Sequence, residues 1–234
     1  MTESQLENNI IQLLVKEGYT HIYGPDMLYD LRDAVYTDGN IQPTPPPYAR
    51  ISLEEVILKD NLEKSLLKLN PNTPYEAIQQ AIKQILNIHS IDQTANNESF
   101  HNYITNGIEV EYLKDGNLIG KRITLIDYNN PSNNEYLCIN QYVIQYNNLI
   151  KRPDIILFIN GLPLVGIELK NPTDENATLE SAYQQFQTYK NYIPLLYDYN
   201  SLLVVSDGID AKYGSLTSPF TRFMTWKTKD GIQE

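Results

Sequence analysis

Two carboxylates and an amine sit where the chain is otherwise apolar. Arg152-Pro153-Asp154 leads into Ile155-Ile156-Leu157-Phe158-Ile159, and Leu164-Val165-Gly166-Ile167 leads into Glu168-Leu169-Lys170. Charges on such strands are costly unless a partner offsets their desolvation. A hard divalent cation is the natural partner, because Mg2+ takes oxygen ligands, keeps several waters and works with one or two carboxylates plus phosphate oxygens. Two residues beyond Glu168, Lys170 shares its strand face. Its ammonium can stabilise an attacking water or charge building on a phosphate. The chemistry that fits is metal-assisted phosphodiester hydrolysis, with Asp154 and Glu168 as ligands and Lys170 as the catalytic cation. A surface salt bridge on a hairpin would use the same residue types, and spacing alone leaves both readings open.

The metal reading carries a geometric condition. Asn160-Gly161 is a favoured two-residue hairpin turn. A regular hairpin closed there pairs Asp154 with Ile167 and sends Glu168 to the other side of the sheet. A shared metal therefore predicts a bulge or a longer turn near 160–163, or a strand break at Asp154.

Two further sets of residues belong to the argument. Gln185 and Tyr189 lie four apart on a predicted helix over 177–192, so they point the same way. The same face carries Leu179, Ala182 and Phe186, which reads as an ordinary core face with an amphipathic tyrosine. In a functional reading both side chains donate toward the metal site or a phosphate. Near the amino terminus, Glu7 falls inside the apolar sector of a first helix, with Glu3 one turn earlier. Helix geometry reads Glu7 as a rim carboxylate or a helix N-terminal charge.

The elements that must position these groups are legible in outline. Thr2 and Gln5 have capping-box spacing. Leu6, Ile10, Leu13 and Leu14, with Ile11 beside them, form a helical stripe that Gly18 can end. Pro43-Thr44-Pro45-Pro46-Pro47 is a connector. Helices are predicted over 53–69 and 74–87, separated by Asn70-Pro71-Asn72-Thr73-Pro74. A strand-rich block follows. Ile108 to Tyr112 turns at Lys114-Asp115-Gly116-Asn117 into Arg122 to Ile126, and Tyr136 to Ile139 and Tyr142 to Ile144 continue the meander. After the motif strands and their helix, Leu202 to Val205 is a buried strand. The fold class is α/β, a mixed β-sheet flanked by helices. The organisation is one domain over 1–234, with a helical insertion at about 43–95 and a catalytic core at about 105–210.

Composition narrows the options. The 234 residues carry 18 Lys and Arg against 29 Asp and Glu, a net charge of −11. That balance opposes DNA binding by bulk electrostatics and leaves the grip on DNA to local cations or partner subunits. The single cysteine, Cys138, excludes an internal disulfide and a cysteine zinc cluster. His21, His89 and His101 have no ligand spacing, and His21 reads as structural. No signal peptide or membrane-length apolar run is present, so a cytoplasmic location is expected. Gly116 to Lys121 mimics a phosphate loop, but Arg122 replaces the Ser/Thr and hairpin strands flank it.

Together these motifs carry a resemblance. Pro153-Asp154 with Glu168-Leu169-Lys170 resembles the signature of the PD-(D/E)XK nucleases. From Asn129 onward the chain is similar to the amino-terminal nuclease domain of the R (restriction and translocation) subunit of type I restriction enzymes. Asn130-Pro131, Asn140-Gln141, Asn160 to Leu164, Ile193-Pro194, Ser206-Asp207-Gly208, Gly214 to Thr217 and Arg222-Phe223 with Trp226 carry the likeness, and Leu6-Glu7 and Leu69-Asn70-Pro71 extend it upstream. The resemblance implies a restriction-endonuclease-like core and a Mg2+-dependent endonuclease cutting double-stranded DNA with little sequence preference of its own. It implies metal ligands at Asp154 and Glu168, a catalytic lysine at Lys170, and a Gln-x-x-x-Tyr motif at Gln185 and Tyr189. Glu7 matches a helix-borne acid common in related nucleases. It further implies methylase and specificity subunits as partners, and ATP only for a motor absent from this chain, so the sequence reads as a fragment. Two rivals are a catalytically silent docking module on the same fold and a repair nuclease of the same superfamily.

Overall fold

The structure is a computed structural model that describes residues 2–28, 48–88, 90–171 and 178–227. The proline cluster at 43–47, His89 and Pro172 lie outside the described residues. In chain order the elements begin with helix α1 (Glu3–Lys16) and strand β1 (Thr20–Tyr23), followed by helices α2 (Lys59–Leu69), α3 (Tyr75–Leu86) and α4 (Gln93–Asn106). Next come β2 (Ile108–Lys114), β3 (Asn117–Ile123), β4 (Tyr136–Asn140), β5 (Ile144–Tyr146), β6 (Leu149–Lys151), β7 (Ile155–Ile159) and β8 (Leu162–Leu169). The chain continues through α5 (Leu179–Tyr192), α6 (Pro194–Asp198), β9 (Leu202–Ser206), β10 (Ala211–Gly214) and β11 (Met224–Thr225).

A seven-stranded sheet in the order β1-β4-β7-β8-β9-β10-β11 forms the centre. It is mixed: β1 with β4 and β8 with β9 are parallel, whereas β4, β7 and β8 pair antiparallel. Successive strand residues face opposite sides, and the sheet separates two apolar layers accordingly. Ile155, Leu157, Ile167, Leu169, Cys138 and Val204 pack with Leu6 and Ile11 of α1. Ile156, Phe158, Leu164, Leu203 and Val205 pack on the other side with α5 (Ala182, Phe186, Tyr189) and with α2, α3 and α4. β7 and β8 are therefore apolar on both faces, as continuous apolar runs require.

The capping box of Thr2 and Gln5 is present, and α1 ends just before Gly18. Leu13 departs from the expected stripe. It is exposed, and α1 buries Leu6 and Ile11 instead. The helix expected over 53–69 starts only at Lys59, because Val56, Ile57 and Leu58 run into the core and the Leu58 N–H donates to the Gly161 carbonyl. The expected meander divides in three: among the described residues β2 pairs only with β3, β5 only with β6, and β4 enters the large sheet. Helix α4 had no sequence-level prediction. Its buried apolar anchors are Phe100 and Ile104, while Asp92 caps its first turn and Gly107 ends it at φ 76°. No described helix is long and apolar enough to cross a membrane.

Candidate active site

The hairpin that brings Asp154 to Glu168 is not regular. Asn160 and Gly161 form its two-residue turn at φ 53° and 80°, the left-handed pair such turns need. Ile159 pairs with Leu162 and Phe158 with Pro163, but Leu157 then pairs with Val165. Leu164 is the extra residue of a β-bulge on β8. Beyond it, Ile156 pairs with Gly166 and Ile155 with Ile167. One step further along that register, Asp154 stands opposite Glu168. The alternation of the two apolar layers puts both carboxylates on the α5 side of the sheet. The bulge is the one the metal reading required.

Both carboxylates are withdrawn from water: Asp154 is 8% exposed and Glu168 2%. The Asp154 Oδ2 accepts from the Leu169 N–H at 2.8 Å, and its carbonyl accepts from the Gln141 N–H at 2.8 Å. Glu168 Oε1 meets Lys170 Nζ at 3.4 Å, while Oε2 is buried with no hydrogen-bond partner among the described residues. Burial pushes the Asp154 carboxyl up to about 6; the Leu169 N–H opposes the shift, and Glu3 and Glu7 add to it. Burial raises Glu168 well above the usual carboxylate range, Asp154 adds repulsion, and Lys170 offsets part of it. Two carboxylates held this way have a clear deficit of positive charge.

Tyr189 belongs to the same cluster. It is buried on α5, and its hydroxyl donates to the Arg152 carbonyl at 3.4 Å. Burial and then Glu168 push its phenol far up, so it is a neutral donor at any working pH. Gln185 lies one turn before Tyr189 on the same helix.

Glu7 reaches the site from the α1 side, at the sheet end. Its carboxylate is gripped by two amides: Asn140 Nδ2 donates at 2.6 Å and Gln141 Nε2 at 3.1 Å. His21 Nε2 lies 2.8 Å from the Asn140 Oδ1, which orients that amide with its NH2 toward Glu7. Gln141 adopts φ 52°, a left-handed turn that ends β4 and lets its side chain turn to Glu7 while its N–H holds Asp154. Sequence reasoning assigned no site role to His21, Asn140 or Gln141. Asn140-Gln141 at a strand end was the available signal, but nothing local pairs it with a helix more than a hundred residues away.

Among the described residues no group of three or more His, Cys, Asp and Glu side chains converges on a point that could hold a metal ion. The protein ligands on offer are two, Asp154 and Glu168. The unpartnered Glu168 Oε2 fits such a guest, and Mg2+ normally completes its shell with water and substrate oxygens.

A sequence profile of the Type I restriction enzyme R protein N terminus matches residues 1–222. The chain belongs to that family. It is 36% identical over 231 residues, 98% of its length, to the type I restriction enzyme HindI endonuclease subunit of Haemophilus influenzae, covering 21% of that protein. A Methanocaldococcus jannaschii relative, provisionally named type I restriction enzyme MjaIXP endonuclease subunit, is 33% identical over 95% of the chain and 20% of its own length. The Escherichia coli EcoprrI endonuclease subunit is 24% identical over 98% of the chain and 65% of its own length. The chain therefore spans about a fifth of the first two relatives.

Proposed function

We propose that this chain is a Mg2+-dependent DNA endonuclease domain of a type I restriction enzyme R subunit, hydrolysing phosphodiester bonds with little sequence preference of its own. The bulged hairpin carries this reading. It sets Asp154 and Glu168 opposite each other in a buried, charge-deficient site and leaves one glutamate oxygen without a partner. Asp154 and Glu168 would hold the metal. Bound there, Mg2+ would polarise the scissile phosphate and lower the pKa of its water. Lys170 would offset charge building on the phosphate. Tyr189, with Gln185 one turn before it, would donate toward the site or fix the strand end at Arg152. Glu7, gripped by Asn140 and Gln141, would receive a hydrogen bond from a metal-bound water. Double-stranded DNA is the substrate. Recognition falls to methylase and specificity subunits and ATP to the motor of the R subunit, in the cytoplasm. The whole of 1–234 serves as one nuclease domain, with the helices at about 43–95 as an insertion on its core.

The test is cleavage by the full-length subunit assembled with its partners and ATP. Lys170→Ala should lower plasmid cleavage by at least about a hundredfold, the scale of a lost electrostatic contact in a transition state. ATP hydrolysis should persist. Undiminished cleavage would assign the domain to docking instead.

A further inference from the structure

A second site lies away from the carboxylates. The Leu58 N–H binds the Gly161 carbonyl at 3.0 Å, so α2 begins against the hairpin turn, at the end of β7 and β8 opposite Asp154 and Glu168. Beside that helix start is a cavity of about 350 Å³ lined by Arg50, Lys59, Lys64, Tyr48, Glu55 and Asp60, among others.

Arg50 is the unexpected member. It is 3% exposed, and its Nη2 donates to the Val143 carbonyl at 2.6 Å. Its guanidinium lies 4.1 Å from the Tyr142 ring centroid, a cation–π contact that offsets part of its desolvation. Yet Nε and Nη1 are buried with no hydrogen-bond partner among the described residues. Two unmet donors on a buried cation are expensive. Glu55, which also lines the cavity, accepts from Lys59 at 3.2 Å and from the Ile51 N–H at 3.3 Å.

The rest of the cavity is also donor-rich. The N-cap of α2, Leu58, offers no side-chain cap, and the first N–H groups of such a helix point toward its N-terminal end. Lys59 and Lys64 are exposed and line the cavity. Asp60 and Glu55 leave cations in the majority, three against two. A planar guanidinium with two donors unmatched among the described residues, an uncapped helix start and two exposed ammoniums, one of them paired with Glu55, match a tetrahedral oxyanion.

We propose that this cavity binds a phosphate group, with Arg50 as the buried anchor and Lys59 and Lys64 as the outer cations. The same chemistry suits a nucleic-acid backbone phosphate and a free or nucleotide phosphate.

Calorimetric titration with inorganic phosphate at low ionic strength tests the site. EDTA keeps metal from recruiting phosphate to Asp154 and Glu168. The wild type should bind saturably, Arg50→Met should lose at least about tenfold in affinity, and Lys64→Ala about threefold with a weaker salt dependence. Circular dichroism checks folding. If Arg50→Met does not fold, the surface variant Lys59→Glu/Lys64→Glu decides, and it should bind no phosphate. An oligothymidylate without terminal phosphates that displaces phosphate would assign the site to nucleic-acid backbone. Its failure to compete, with phosphate still bound, would assign it to a small phosphate. Absence of saturable binding, or equal binding by wild type and the double variant, would overturn the proposal.

Discussion

Two hairpins in this molecule use the same turn and come to different ends. β2 and β3 close at Asp115-Gly116, with φ of 52° and 78°; β7 and β8 close at Asn160-Gly161, with φ of 53° and 80°. The first keeps one register from Lys114↔Asn117 to Ile108↔Ile123, and its exposed pair Glu109 and Arg122 simply meet across it. The second slips by one residue at Leu157/Phe158. Turn chemistry therefore does not determine register at the far end of a strand. In β7 and β8 the apolar layers on both faces fix which residues point where, and the bulge reconciles that demand with the turn. The consequence is chemical: only the slipped register puts Asp154 and Glu168 on one side.

The turns also differ in what surrounds them. The Asn160 side chain is fully buried, donates to the Leu125 carbonyl and the Asn134 Oδ1 at 2.8 Å each, and accepts from the Glu135 N–H. A Cβ on Gly161 would lie 2.5 Å from the Leu58 carbonyl oxygen, whereas one on Gly116 meets nothing within 4 Å. Asn160→Ala and Gly161→Ala should therefore each cost more than about 3 kcal/mol in urea denaturation, through orphaned polar groups in one case and a backbone clash on top of left-handed strain in the other. Similar costs for Gly116→Ala and Gly161→Ala would erase the distinction between the hairpins.

A second prediction uses the burial of the carboxylate end. Burial pushes the folded Asp154 carboxyl up to about 6, above the ordinary aspartate value of about 4. A raised carboxyl stabilises the fold while protonated, and that contribution is lost as pH rises through the folded value. The metal-free protein should accordingly lose about 2 to 3 kcal/mol of stability from Asp154 between about pH 4 and 7. Glu168, raised in the same direction, extends the loss upward. Asp154→Asn should flatten the profile measured by thermal melts in EDTA; an unchanged slope would place its origin elsewhere.

Smaller effects come from the grip on Glu7. Asn140→Ala removes the shorter of its two hydrogen bonds and unseats His21. If Glu7 steadies a metal-bound water, Mn2+ affinity should fall about tenfold, as for other residues that orient a metal's surroundings. Glu7→Gln should do the same, and no change in either would leave Glu7 a rim carboxylate. The smallest effect expected is Gly116→Ala, about 1 kcal/mol from left-handed strain alone.

Much of this was legible in the sequence, and the failures have physical causes. The mixed sheet flanked by helices, the motif strands and α5 were readable because apolar period and capping residues agree there. The pairing of Asp154 with Glu168 was readable only as a condition, since a bulge leaves no local signature beyond an odd residue count between two strands. α4 was missed because it buries one sparse stripe and makes other contacts through polar residues such as Asn96 and Asn97, which look solvated in sequence. β1 was missed because only Ile22 of its four residues is even partly buried. The amide grip on Glu7 depends on contacts between α1 and β4, and such long-range pairings do not show in spacing.

The central claim is that Asp154 and Glu168 share a divalent cation. Calorimetric titration of the folded protein with Mn2+ near pH 7.5, a value chosen about a unit or more above the Asp154 titration, measures it directly. Wild type and Lys170→Ala should bind, whereas Asp154→Ala and Glu168→Ala should each weaken binding at least about tenfold with folding intact. Binding by Asp154→Ala or Glu168→Ala equal to that of the wild type would contradict the shared site.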